Sequence, residues 1–443
     1  MSPGRRRPGG GPVRAGGRPV RQGGRGTGPA PSRRPEPAPA GSPGGAGLTA
    51  RGVAIAVLRA AEQGERSNLV LPRLLGASDL DGRDRAFATE VAYGALRMLR
   101  ACDWLFGQYV RGEVDADLRA VLRAGTYQLA FMRLPAYAAV SATVAECPPR
   151  ARSVANAVLR RVADVVGSGP VPWPSPAVRM SYPDWLMERL AQDLGPGRAA
   201  GALARMNDPA AATLRPDGYT QDLASQWVGE QVAALSGPGG RVLDLCAAPG
   251  GKATLVAHNA ELVVAGELDP ARARIVVANA RRLELGNVPV VLSDGLRPPW
   301  RTGSFDVVLV DAPCSGLGVL RRRPDARWRV RPDDVDRLAR LQRRLLAAAA
   351  PLVARGGALV YSVCTLTRAE TLDVGAWMLG ELLAGWEAVP SPGPPWEGVR
   401  HGSLLLPQSE GTDGMYMVAA RRPGTPAVGG DVPSVPAQRR LPY

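Results

Sequence analysis

The chain has 443 residues, 45% of them hydrophobic, and a formal net charge of +15. That length suffices for two or three domains with their own cores, no apolar run approaches the roughly 18 residues a membrane span needs, and the basic balance points to a polyanionic partner such as nucleic acid. Five cysteines (Cys102, Cys147, Cys246, Cys314, Cys364) form no CxxC pair and the histidines are only His258 and His401, which argues against a disulfide framework and a zinc site.

Residues 1–47 are Arg, Gly, Pro and Ala with nine arginines and the single acid Glu36. Such a segment cannot bury enough apolar surface to fold and is expected to be a disordered tail, either gripping phosphate or neutral. No apolar stretch follows it, so a secretory signal is not expected and the chain reads as cytoplasmic. Residues 48–165 read as helices. In 84–110, Phe87, Val91, Met98, Cys102 and Leu105 recur at helical spacing, a second helix over 117–134 stops at Pro135, and a third covers 153–162. Residues 166–236 read as a proline-rich connector carrying helices near 185–194 and 223–235.

From residue 237 to 422 short apolar strands alternate with helices, the pattern of a parallel α/β sheet. Strands are predicted at 241–245, 262–266, 288–292, 305–310 and 358–363, a helix at 333–353, and a last strand at 415–421. Residues 423–443 are again proline-rich and expected to be disordered.

The chemistry gathers at the predicted strand ends. The first strand runs into Asp244-Leu245-Cys246-Ala247-Ala248-Pro249-Gly250-Gly251-Lys252. Glycines at such a turn let backbone approach a ligand at the carboxyl edge of a sheet, yet this is neither a Walker loop nor GxGxxG. Glu267 closes the second strand and Asp294 follows the third, positions suited to a ribose and an adenine edge, although each acid taken alone reads more readily as a helix cap. These points fit a nucleoside cofactor without pyrophosphate. Strands four and five lead into Asp311-Ala312-Pro313-Cys314-Ser315-Gly316 and Val363-Cys364-Thr365. Two cysteines at one sheet edge could face one substrate, whereas a single buried cysteine is usually inert. Lys252 is the only lysine among 55 basic residues, which marks a position where a compact ammonium is needed and a planar guanidinium does not serve.

LDLCAAPGGK (243–252), DAPCSGLGVLRRRPDARW (311–328) and LLLPQSEGTDGMYMVAAR (404–421) closely resemble motifs of the Sun/Fmu-type RNA (cytosine-5) methyltransferases, in particular their bacterial 16S ribosomal RNA branch. Residues 220–226 resemble the segment leading into that family's cofactor motif, and 48–165, with NAVLR at 156–160, resemble its NusB-like domain. The resemblance implies a Rossmann-like methyltransferase domain (237–422) behind an all-helical NusB-like RNA-binding domain (48–165). It implies S-adenosylmethionine as cofactor and RNA, ribosomal RNA in particular, as partner, with neither membrane nor metal involved and the chain acting as a monomer. By the same resemblance Cys364 attacks C6 of cytosine, Cys314 assists release, Asp311 holds the base and Lys252 favours the thiolate. Cys246, Ala247, Ala248, Pro249, Gly250, Gly251 and Lys252 cradle the methionine end, Glu267 binds ribose, Asp294 adenine, and Asp311 borders the cofactor. Three departures stand out: Val363 where the family usually has Thr, a shortened stretch around Cys147 to Arg152, and only Asn207 to Tyr219 where the family has a small RNA-contacting subdomain. These leave an alternative open, a catalytically inactive RNA-binding or ribosome-assembly factor on a methyltransferase scaffold.

Overall fold

The computed structural model describes residues 47–211 and 213–424, so the tails expected at either end lie outside the described residues for all but Gly47, Pro423 and Gly424. The first part is helical: α1 (Ala50–Glu62), α2 (Ser67–Gly76), α3 (Gly82–Arg97), α4 (Leu99–Gly107), α5 (Ala116–Ala130), α6 (Ala136–Ala145) and α7 (Arg152–Gly167). Side-chain caps start three of them, where Thr49, Asp81 and Asp115 accept from Gly52, Asp84 and Leu118 amides. The apolar stripe of 84–110 is real, but the helix breaks at Met98 (φ −97°, ψ 25°) into α3 and α4, because that residue leaves the helical region. Val53, Leu58, Val91, Leu96, Cys102, Leu122, Leu159 and Val162 close this core with little or no exposure. Cys102 and Cys147 are both buried in it and are packing residues.

The segment 166–236 holds more than the two helices expected: α8 (Pro176–Met180), α9 (Asp184–Leu194), α10 (Pro196–Arg205) and α11 (Leu223–Ser236). Leu186, Leu190, Ala202, Leu203 and Met206 pack in the same core as one face of the sheet that follows.

That sheet begins with β1 (Arg241–Asp244), then α12 (Gly251–Val256), β2 (Leu262–Glu267), α13 (Pro270–Arg282), β3 (Val290–Leu292), β4 (Phe305–Asp311), α14 (Ala326–Arg329), α15 (Pro332–Ala349) and β5 (Val353–Val363). It ends with α16 (Leu372–Trp377), β6 (Glu387–Ala388), β7 (Glu397–Val399), β8 (Gly402–Leu405), α17 (Pro407–Glu410) and β9 (Met415–Arg421). Among the described residues the strands run in the order β3-β2-β1-β4-β5-β9-β8-β7, with β6 on β9. The first five pair in parallel and β9 enters antiparallel against β5. The strand order turns back between β1 and β4, and ligands of open α/β sheets bind beyond the carboxyl ends at such a point. Helices cover both faces, so strands such as β1 are buried throughout and read as continuous apolar runs.

A segment of the sheet portion reaches into the helical one. Arg327, wholly buried, stacks over the Tyr182 ring at 4.0 Å and donates to Arg97 O, Ser181 O and Asn207 Oδ1 at 2.9–3.1 Å. Trp328 donates to Leu96 O at 2.8 Å, and Ser67 donates to Asp325 at 2.5 Å.

Candidate active site

The loop after β1 is folded by its own backbone: Gly250 N donates to Ala247 O at 2.7 Å and Ala247 N to Gly266 O at 2.9 Å. Gly250 has φ +102°, in the left-handed region that a side chain disfavours. The stretch Cys246 to Lys252 therefore curls over the carboxyl end of β1 and meets the end of β2. There Glu267, 4% exposed, accepts from the amides of Leu268 (3.0 Å), Asp269 (3.1 Å) and Ala248 (3.3 Å), with Arg272 3.5 Å away. Asp244 is buried at the end of β1, and its Oδ1 has no partner among the described residues. Burial, reinforced by Asp311, pushes its carboxyl up to about 7. The Cys246 thiol is also pushed up, by burial and then by Asp244, so this cysteine is a poor nucleophile. Asp294 does not join the others by contact: its Oδ1 accepts from Leu296 N at 2.9 Å in its own turn.

The second half of the site lies at the ends of β4 and β5. Lys252 Nζ, 7% exposed, is 2.7 Å from Asp311 Oδ2, and Ser362 donates to Asp311 Oδ1 at 2.7 Å. The Cys314 and Cys364 sulfurs are 3.3 Å apart and half-buried. Hydrogen bonding from Cys314 depresses the Cys364 thiol despite its burial, helped by Arg323 and Lys252, while the same bond and burial raise Cys314 well above the ordinary range. Of the two thiols, Cys364 is therefore the one more readily ionised, with Cys314 placed to donate to it. Lys252 stays charged: burial works against it, and Asp311, Cys364 and Asp244 outweigh burial. Val363 belongs to the opposite face of β5, where it packs with Leu359 and Tyr361 in the core, so its departure from the family pattern does not touch the face that carries Ser362 and Cys364.

Several supports were not foreseen from the sequence. Gly318 N donates to Cys364 O (3.0 Å) and Gly414 N to Gly318 O (2.9 Å), tying three motif loops, and a Cβ on Gly318 would collide with the Gly414 carbonyl. Arg322 bridges Asp222 (2.7 Å) and Asp413 (2.9 Å), joining the segment before α11 to the turn before β9. Arg215, in the short stretch that replaces the expected subdomain, is buried and donates to Gly251 O at 2.7 Å beneath the cofactor loop. Glu370, fully buried, sits under both cysteine loops. Only Ser315 and Thr365, directly after the cysteines, hint at it in the sequence.

Carboxylates at the ends of β1 and β2, one with an unpartnered buried oxygen, suit a ligand rich in donors and positive charge, and a sulfonium bearing an ammonium and ribose hydroxyls is such a ligand. The fold and this edge define a Rossmann-type, S-adenosylmethionine-dependent methyltransferase. The crystal structure of PH0851 shares the fold, with a TM-score of 0.68 at 20% identity over 84% of this chain and 99% of that one. Residues 235–421 match the family described as 16S rRNA methyltransferase RsmB/F, and residues 48–164 match the NusB family. The chain is 36% identical to ribosomal RNA small subunit methyltransferase B of Thermus thermophilus, over 84% of this chain and 98% of that protein. It is 32% identical to the protein of the same name from Vibrio cholerae, over 75% and 88%. The chain belongs to the RsmB/F methyltransferase family.

Proposed function

We propose that this enzyme methylates C5 of a cytosine in small-subunit ribosomal RNA, with Cys364 as nucleophile and Cys314 as the release residue. The observation that carries the reading is the pair of sulfurs 3.3 Å apart at the cofactor edge of the sheet, with the Cys364 thiol depressed and the Cys314 thiol raised. The names of the Thermus and Vibrio relatives support the choice of RNA.

Cytosine C5 is a poor nucleophile until a thiolate adds to C6. The Cys364 sulfur forms a bond to C6, and the C5=C6 electron pair moves into the ring, where it makes C5 an enamine carbon. Asp311, held by Lys252 and Ser362, receives the exocyclic amino edge and orients the ring. Bound S-adenosylmethionine supplies the electrophilic methyl group that C5 takes. The C5 proton then passes to water, the C5=C6 bond reforms, and the C6–S bond breaks with its electron pair returning to Cys364. The Cys314 S–H donates to the departing sulfur and the resting pair is restored. Glu267 binds the ribose, Asp294 the adenine edge, and the loop Cys246-Ala247-Ala248-Pro249-Gly250-Gly251-Lys252 the methionine end, with the unpartnered Asp244 oxygen as acceptor for its ammonium. The target base must be unpaired or flipped out to reach this edge.

The test is transfer of tritium from labelled S-adenosylmethionine to unmodified small-subunit RNA, followed by nucleoside analysis, with Cys314→Ala and Cys364→Ala run on a denaturing gel. The expected product is 5-methylcytidine. Cys314→Ala should trap RNA on the protein, and the double variant should not. Label in another nucleoside overturns the C5 assignment, an adduct that depends on Cys314 reverses the roles, and no transfer to any RNA favours the scaffold alternative.

A further inference from the structure

Outside the reacting groups, a buried cluster of polar donors surrounds the Glu370 carboxylate, which is 0% exposed. Its Oε1 accepts from Ser315 N at 2.8 Å and from Gln342 Nε2 at 3.0 Å. Its Oε2 accepts from Ser315 Oγ at 2.5 Å and from Thr367 Oγ1 at 2.9 Å. Thr365 Oγ1 lies 3.3 Å from Oε2 and closer, 2.8 Å, to Ser315 Oγ, so its single proton goes to the serine oxygen. Gln342 also donates to Pro313 O at 3.0 Å, and Tyr361 fixes the cluster from below by donating to Glu370 O at 2.6 Å. Every donor is neutral, so among the described residues the carboxylate is held by hydrogen bonds with no cation paired to it.

Ser315 follows Cys314 and Thr365 follows Cys364. We infer that Glu370 is a positioning residue of the two-thiol site: one buried carboxylate fastens the Cys314 loop to the Cys364 loop and sets its negative charge on the Cys314 side. It complements Lys252, which pairs with Asp311 and helps depress the Cys364 thiol. The charges are divided so that a thiolate is favoured on Cys364 and a thiol on Cys314. The titratable groups acting on Cys314 are Cys364, Glu370 and Asp311, with the Tyr361 phenol also close, and Glu370 adds to the rise of the Cys314 thiol. The inference rests on the cysteine roles proposed above, but its first readout does not depend on them.

The test measures the pH profile of Cys314 alkylation by iodoacetamide, read on the Cys314 peptide by mass spectrometry in the full-length Cys364→Ala protein. Adding Glu370→Gln, which keeps shape and removes charge, should move the midpoint down by about one unit, a tenfold gain in thiolate at fixed pH. Glu370→Asp should keep the high midpoint and, with Cys364 restored, lower kcat at unchanged cofactor KM. An unmoved midpoint in a folded Glu370→Gln protein overturns the inference, whether or not methyl transfer is observed. If Glu370→Gln does not fold, Thr367→Val, which removes one donor and leaves the charge, serves instead. A fall of about tenfold in kcat with the midpoint retained supports the fastening, and an unchanged kcat overturns it.

Discussion

Replacing Lys252 by Arg keeps the charge and changes only its shape, which makes it the sharpest test of the site. The ammonium is 7% exposed and 2.7 Å from Asp311 Oδ2, and its charge favours ionisation of the Cys364 thiol. A guanidinium is planar and larger, and fitting extra atoms into a packed site costs about 1–3 kcal/mol. If that strain falls on the Asp311 carboxylate that must meet the base, the rate falls about 5- to 150-fold, at about 1.4 kcal/mol per factor of ten. The assay is single-turnover methyl transfer to ribosomal RNA at saturating cofactor, with melting temperature measured alongside. Lys252→Met serves as the charge-loss comparison and should raise the alkylation midpoint of Cys364, whereas Lys252→Arg should leave it low. A Lys252→Arg rate within about twofold of the parent would refute the reasoning and make the one lysine of the chain a chance survivor.

Glu267→Ala should raise the cofactor dissociation constant roughly tenfold or more, since a charge-assisted hydrogen bond contributes about 1.5–3 kcal/mol; unchanged calorimetric binding would remove the ribose assignment. Asp244 holds its proton up to about 7, above its value in the unfolded chain, so its stabilising contribution is complete in acid and is lost as pH rises through about 7. Asp244→Asn should therefore raise the melting temperature more at pH 8 than at pH 5, by no more than about 4 kcal/mol of stability, while weakening cofactor binding. A gain independent of pH would contradict this. Deleting residues 1–47, which carry nine arginines, should lower RNA affinity and flatten its salt dependence while sparing turnover at saturation. An identical salt slope would show that the tail does not touch RNA.

The sequence alone determined the class of fold and brought the candidate reacting groups to strand ends. Strand-length apolar runs ending in Asp244, Glu267, Asp311 and Cys364 are local patterns, and side chains at strand ends share one edge of a parallel sheet whatever surrounds them. Hence the α/β reading, the helical first part and the strand of residues 415–421 were legible. What only the tertiary structure decided depends on contacts between distant residues. Periodicity continued across Met98 because the stripe faces one core on both sides of a break in backbone angle. The helices α9 and α10 belong to the core of the sheet, which no local signal in a proline-rich stretch reveals. Asp294 caps its own turn, Arg215 reaches the site from a stretch with no motif of its own, and Arg322 ties its motif loop to Asp222, 100 residues earlier in the chain. The opposite shifts of the two thiols arise from a 3.3 Å approach between residues fifty positions apart, beside Lys252 and Glu370. Pairwise electrostatics depends on distance in space, and that distance exists only once the sheet has formed.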